Sequence, residues 1–177
     1  RVDGVPPESQ ALLVQVTAEQ FAWNIRYAGP DGVFGRTDIK LLDLQSNPLG
    51  VDRSDPAAKD DITTVNQLYL PVNRPIIVKL RSKDMIHSFG VPEFRVKQDA
   101  IPGLTIPIWF VPTVTTAEMR TRTGNPEFQY EIACAQLCGL GHYRMRGFVT
   151  VQTAEEFQTW MNAEEDKLKG QESNPFQ

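Results

Sequence analysis

The chain has 177 residues, a length that suits one domain or one domain with an appendage and can bury a real core. Its 18 Lys and Arg against 22 Asp and Glu leave a formal charge of −4, which removes the electrostatic case for a nucleic-acid partner. The longest apolar run, IPIWFVP at residues 106–112, is broken by prolines and falls far short of the roughly 20 residues a spanning helix needs.

In chain order, Arg1 reads as a processed or trimmed end, with no initiator Met and no signal-like leader. Residues 11–18 (ALLVQVTA) and 20–27 (QFAWNIRY) read as a first pair of strands, followed by the turn GPDG. Residues 47–67 are rich in Pro, Asp and Ser without periodicity and read as a long surface loop. LYLPV, PIIVKLRS, LTIPIWFVP, TAEMRTR, EFQYEIA and GFVTVQ follow at the spacing of strands in an antiparallel sandwich or barrel. Only the end departs from this pattern. Thr153 is a candidate N-cap and Glu156 completes a capping box, predicting a helix of about four turns. Phe157, Trp160, Met161 and Leu168 form a partial apolar stripe that docks its first half, while residues 164–169 are a solvated face. The division expected is a β-domain over 1–152, and a C-terminal helix with a polar tail over 153–177.

Both cysteines, one of two histidines and one of four methionines fall within twelve residues, CAQLCGLGHYRM at 134–145. Cys134, Cys138 and His142 are four apart and would share a face if the segment were helical. Gly139 and Gly141 make a helix costly by about 1 kcal/mol each, so a loop between two strands is expected instead. Three readings fit these residues. Cys134 and Cys138 could close a disulfide, or with His142 and the only other histidine, His87, form a structural zinc site. Copper would employ thiolate, imidazole and thioether together, Met145 included. A mononuclear blue-copper site takes one Cys; two cysteines and two histidines suit two copper ions bridged by two thiolates.

The loop resembles the dinuclear copper A motif, C-x-x-x-C-x-x-x-H-x-x-M, of cytochrome c oxidase subunit II. A second segment, KDMIHSFGVPEFRVKQDAIPG at 83–103, is similar to that family's first-histidine region, H-S-(aromatic)-x-V-P followed by K-x-D-A-x-P-G. The similarity runs over about residues 12–161 and implies an all-β, cupredoxin-like Greek-key barrel or sandwich. It makes His87 and His142 imidazole ligands, Cys134 and Cys138 bridging thiolates, Met145 a weak axial thioether and Gln136 a ligand through its carbonyl. The implied function is electron entry into a proton-translocating terminal oxidase, from a c-type cytochrome or similar carrier to heme in subunit I, where dioxygen is reduced.

Two positions depart from the family pattern. Most members carry glutamate where this chain has Gln136, and its carboxylate helps hold magnesium at the interface with subunit I. Here the carbonyl is kept and the charge is lost, a variant pattern that leaves the magnesium site without one of its ligands. AEQFAWNIRY resembles the aromatic G-H-Q-W-Y-W region where cytochrome c hands over its electron, with Phe21 on the first tryptophan and Trp23 on the second; core packing of an alternating strand is the competing reading for both. Family subunits carry an N-terminal transmembrane hairpin, so attachment to the membrane is expected through a segment these residues do not contain. The place implied is the outer, periplasmic face of the cytoplasmic membrane, or the intermembrane space. The copper A domain of nitrous oxide reductase shares the loop spacing but follows a large propeller domain, and a zinc or disulfide-stapled binding module without redox function stands as the reading from another class.

Overall fold

The computed structural model describes residues 4–172. The first pair of strands is present as β1 (Leu12–Glu19) and β2 (Ala22–Tyr27), antiparallel with Val14 opposite Tyr27. They are followed by β3 (Ile62–Val65), β4 (Gln67–Pro71), β5 (Ile76–Ser82), β6 (His87–Val91), β7 (Val96–Ala100) and β8 (Ile106–Phe110). After helix α1 (Thr116–Thr123) come β9 (Tyr130–Cys134), β10 (Arg146–Gln152) and helix α2 (Ala154–Glu172). One sheet has the order β3-β2-β1-β5-β8 and the other β4-β10-β9-β6-β7. No helix among the described residues is long and apolar enough to cross a membrane.

The two sheets share one core. Val14, Val16, Trp23 and Ile25 of the first meet Leu70, Phe89, Ile132 and Val149 of the second, all buried. Phe157 and Met161 of α2 close one side, as the stripe predicts, and Trp160 stacks on Tyr69 with centroids 4.4 Å apart. The capping box forms in both directions: Glu156 N–H donates to Thr153 Oγ1 (3.2 Å) and Thr153 N–H to Glu156 Oε2 (2.9 Å). The helix runs 19 residues, about a turn longer than expected; residues 173–177 of the predicted tail lie outside the described residues.

Four expectations change. The irregular segment is residues 28–61, not 47–67, and Ile62–Val65 within the predicted loop is an edge strand beside β2. This segment covers the outer face of the first sheet. Phe34 packs on a second cluster of Ala11, Leu13, Ala28 and Ile77, and Arg26 on β2 forms a buried ion pair with Asp61. That is why β1 is buried on both faces and lacks clean alternation. TAEMRTR is helix α1, because Thr115 Oγ1 accepts from Glu118 N–H (3.1 Å) and Gly124, at φ +64°, ends it. The sheets are mixed, with β1 parallel to β5 and β4 parallel to β10. The first-histidine segment supplies two strands, β6 and β7, that hydrophobic alternation does not reveal.

Candidate metal centre

Strand pairing brings the two motifs together. β6 lies beside β9 with Phe89 opposite Cys134, the last residue of β9, so that His87, two residues before Phe89, lies beside the start of the loop that follows. Gly90 permits this approach, since a Cβ there would meet the Ala133 carbonyl oxygen at 3.3 Å. From Cys134 the chain turns away: Ala135 N–H donates to the Ser88 carbonyl (3.0 Å), a one-turn 3₁₀ segment spans His142–Arg144, and β10 begins at Arg146. The glycine-bearing loop expected between two strands is therefore present. It is closed on itself by His142 N–H to the Gly139 carbonyl (3.1 Å) and Met145 N–H to the His142 carbonyl (3.1 Å).

The side chains gather in two linked groups. Cys134 Sγ lies 4.0 Å from His87 Nδ1 and 3.1 Å from the Gln136 carbonyl oxygen. Cys138 Sγ lies 3.6 Å from His142 Nδ1 and 3.7 Å from Met145 Sδ. The two sulfurs are 3.7 Å apart and unbonded, far beyond the roughly 2.05 Å of a disulfide. Sulfurs this close could serve one metal site together. His87, Cys138 and Met145 are essentially inaccessible to solvent, and His87, Cys134 and Cys138 form a cluster able to hold a metal ion. The Gln136 side chain is exposed, so only its carbonyl faces the cluster. All six residues singled out from the sequence thus converge, and the donor set of thiol, imidazole, thioether and carbonyl fits copper.

The surroundings fix these groups. His87 Nε2 lies 2.7 Å from Asp84 Oδ1, which turns Nδ1 toward Cys134. Burial works to raise the Asp84 carboxyl, but its bonds with His87 and with the backbone N–H groups of Gln20 and Met85 outweigh it and hold the group below the ordinary carboxylate range. Burial, reinforced by neighbouring Cys134, pushes the Cys138 thiol up to about 11. Metal uptake must therefore displace protons. Sequence reading missed Asp84 and Gln20; the signals were an acidic residue three before His87 and the match of Gln20 to the glutamine of the G-H-Q-W-Y-W pattern.

The two aromatic positions part company. Trp23 is fully buried, edge-on to His87 (6.4 Å) and Phe89 (5.6 Å). Phe21 is at the surface, its ring seated on Gly139 and Gly141. Leu140, Leu137 and Tyr143 of the same loop are 97%, 75% and 73% exposed.

Two packed sheets with a soft-ligand cluster on the loop joining two strands of one sheet define a cupredoxin-like metal-site domain. The chain belongs to the family described as cytochrome c oxidase subunit II, periplasmic domain, which matches residues 12–153. It is 36% identical over 154 residues to the alternative cytochrome c oxidase subunit 2 of Bradyrhizobium diazoefficiens, covering 86% of this chain and 51% of that protein. It is 32% identical over 161 residues to heme-copper oxidase subunit 2 of Aeropyrum pernix, covering 91% and 53%. The chain spans about half the length of these curated relatives. Among solved structures, the periplasmic domain of subunit II of cytochrome oxidase of Bradyrhizobium japonicum superposes with a TM-score of 0.62 at 28% identity, covering 93% of this chain and 99% of that one. A mixed disulfide intermediate between a thioredoxin-like protein and cytochrome c oxidase subunit II matches at 0.59 and 29% identity, covering 94% and 97%. Domains of this family bind copper.

Proposed function

We propose that this chain is the electron-entry domain of a terminal respiratory oxidase, taking single electrons from a c-type cytochrome or similar carrier and passing them to heme in subunit I. The observation that carries this reading is the convergence of two free thiols, two inward imidazole Nδ1 atoms, a thioether and a main-chain carbonyl, each 3.1 to 4.0 Å from a neighbour in the cluster. His87, Cys134, Gln136 through its carbonyl, Cys138, His142 and Met145 would hold a pair of copper ions. Bound there, the pair supplies a one-electron couple shared between two metals.

The chain's own residues supply rigidity, dryness and access. Asp84 holds the far nitrogen of His87, the loop's backbone bonds hold the cysteines, and burial of Cys138 and Met145 excludes water, so little rearrangement need accompany a change of charge. The exposed Leu137, Leu140 and Tyr143 of the loop, and Phe21 seated on its glycines, offer apolar surface to which a carrier would dock, while Trp23 packs edge-on to His87. The uncharged Gln136 contributes no carboxylate to a magnesium site at the subunit I interface. Because Cys134 and Cys138 must be reduced to take up metal, a thioredoxin-like partner of the kind seen with the relative would serve the site before loading. Rapid mixing of the copper-loaded chain with a reduced c-type cytochrome tests the reading. One-electron bleaching of the copper absorption within milliseconds to seconds is expected; a chain that retains zinc, stays colourless and leaves the cytochrome reduced contradicts it.

A further inference from the structure

Gln20 sits at the tip between β1 and β2, 118 positions from Cys138, and touches both halves of the centre. Its backbone N–H donates to Asp84 Oδ2 (2.7 Å), while the other oxygen of that carboxylate meets His87 Nε2 (2.7 Å). Its side-chain Nε2 donates to the Cys138 carbonyl (2.6 Å) and lies 3.0 Å from Met85 Sδ. The amide reaches this carbonyl through a slot left by Gly139. A Cβ on that residue would stand 2.8 Å from Gln20 Nε2, and its φ of +129° is one that glycine adopts without strain.

We infer that Gln20 is a positioning residue that ties the Cys138 peptide to the Asp84–His87 pair and so keeps the two thiols in register for a shared metal pair. The inference rests on the copper reading above. The two arms differ in kind. The arm to Asp84 is main chain and survives any side-chain change, whereas the arm to Cys138 is side chain only. Losing the amide therefore leaves the His87 half anchored and releases the peptide that follows the second thiolate. Groups that orient metal ligands in this way typically contribute 10- to 100-fold in metal affinity.

The test compares the parent chain with Gln20→Leu, which removes the donor, and with Gln20→Glu, an isostere whose carboxylate, ionised at about pH 8, cannot donate to a carbonyl. Metal-free thermal midpoints, copper retention against a chelator, the paramagnetic resonance spectrum and the reduction potential are measured for each. Both variants should melt within a few degrees of the parent and still load two coppers at saturation, yet lose them at roughly 10-fold lower chelator concentration, with an altered hyperfine pattern and a shifted potential. If Gln20→Leu fails to fold, Gln20→Glu carries the comparison. Variants that match the parent in retention, spectrum and potential overturn the role of Gln20 alone. A parent that takes up no copper pair overturns the functional reading and this inference with it.

Discussion

A methyl group added at Gly141 tests how tightly the metal loop is packed against the β1–β2 tip. An ideal Cβ there would lie 2.4 Å from Phe21 Cδ2, 2.6 Å from Cγ and 2.7 Å from Cε2, against about 3.5 to 4.0 Å for carbon atoms in contact. The ring must retreat by about 1 Å or swing into solvent. The backbone is not the obstacle, because Gly141 has φ −90° and ψ 6°, which alanine tolerates. Overpacking costs about 1–3 kcal/mol, partly offset by about 0.4–1 kcal/mol gained from a less flexible unfolded chain. Gly141→Ala should therefore destabilise the metal-free chain by about 1–2 kcal/mol in urea denaturation. In a Phe21→Ala background the obstacle is gone, and the same substitution should be neutral or slightly stabilising. The predicted coupling of about 1–3 kcal/mol lies within the range of contacting residues. An equal penalty in both backgrounds would refute the packing of Phe21 on the loop.

The buried pair Arg26–Asp61 should behave as a unit. Burial pushes the Asp61 carboxyl up even beside the guanidinium, so desolvation outweighs the attraction, and either Arg26→Met or Asp61→Leu alone should cost about 3–5 kcal/mol by stranding the partner. The double variant should be more stable than either single one, short of the parent because Gly35 N–H and C=O, now held by Asp61 Oδ2 and Arg26, lose partners at about 1–3 kcal/mol each; simple additivity in denaturation would count against it. For the metal-free thiols, a folded value for Cys138 of about 11 lies above the roughly 8.5 of a free thiol. The fold thus favours the protonated form, and this contribution is full below about pH 8.5 and lost as pH rises toward about 11. Reduced, metal-free chain should melt lower across that window, with the decline diminished in Cys138→Ser; a melting point that rises there would reverse the sign.

Much of this architecture is legible in the residues, for reasons that also mark the limits. The capping box at Thr153 and Glu156 and the stripe Phe157, Trp160 and Met161 are local patterns, and both form. The cysteine loop is legible because its glycines disfavour a helix, and His87 through the resemblance of its flanking residues. Residues 116–123 mislead because a short polar helix carries no apolar period, and its identity lies in the Thr115 cap and Gly124 stop. Asp61 looks like a solvated loop acid, yet pairs with Arg26 beneath the 28–61 segment. The place of Gln20 and Asp84 beside the centre is not legible, although Gln20 matches the glutamine of the G-H-Q-W-Y-W pattern, because it depends on the β1–β2 tip meeting the cysteine loop, a juxtaposition that only the folded chain creates.

The proposed copper pair would be held by two thiols, two imidazoles, a thioether and a carbonyl. Copper quantification per chain, together with the paramagnetic resonance spectrum of the oxidised form, is the decisive measurement. Two coppers per chain, a purple protein and a hyperfine pattern from one unpaired electron shared by two copper nuclei are expected, all lost in Cys134→Ala and in Cys138→Ala. One copper with an ordinary mononuclear pattern, or zinc retained in preference under copper-replete loading, would contradict it.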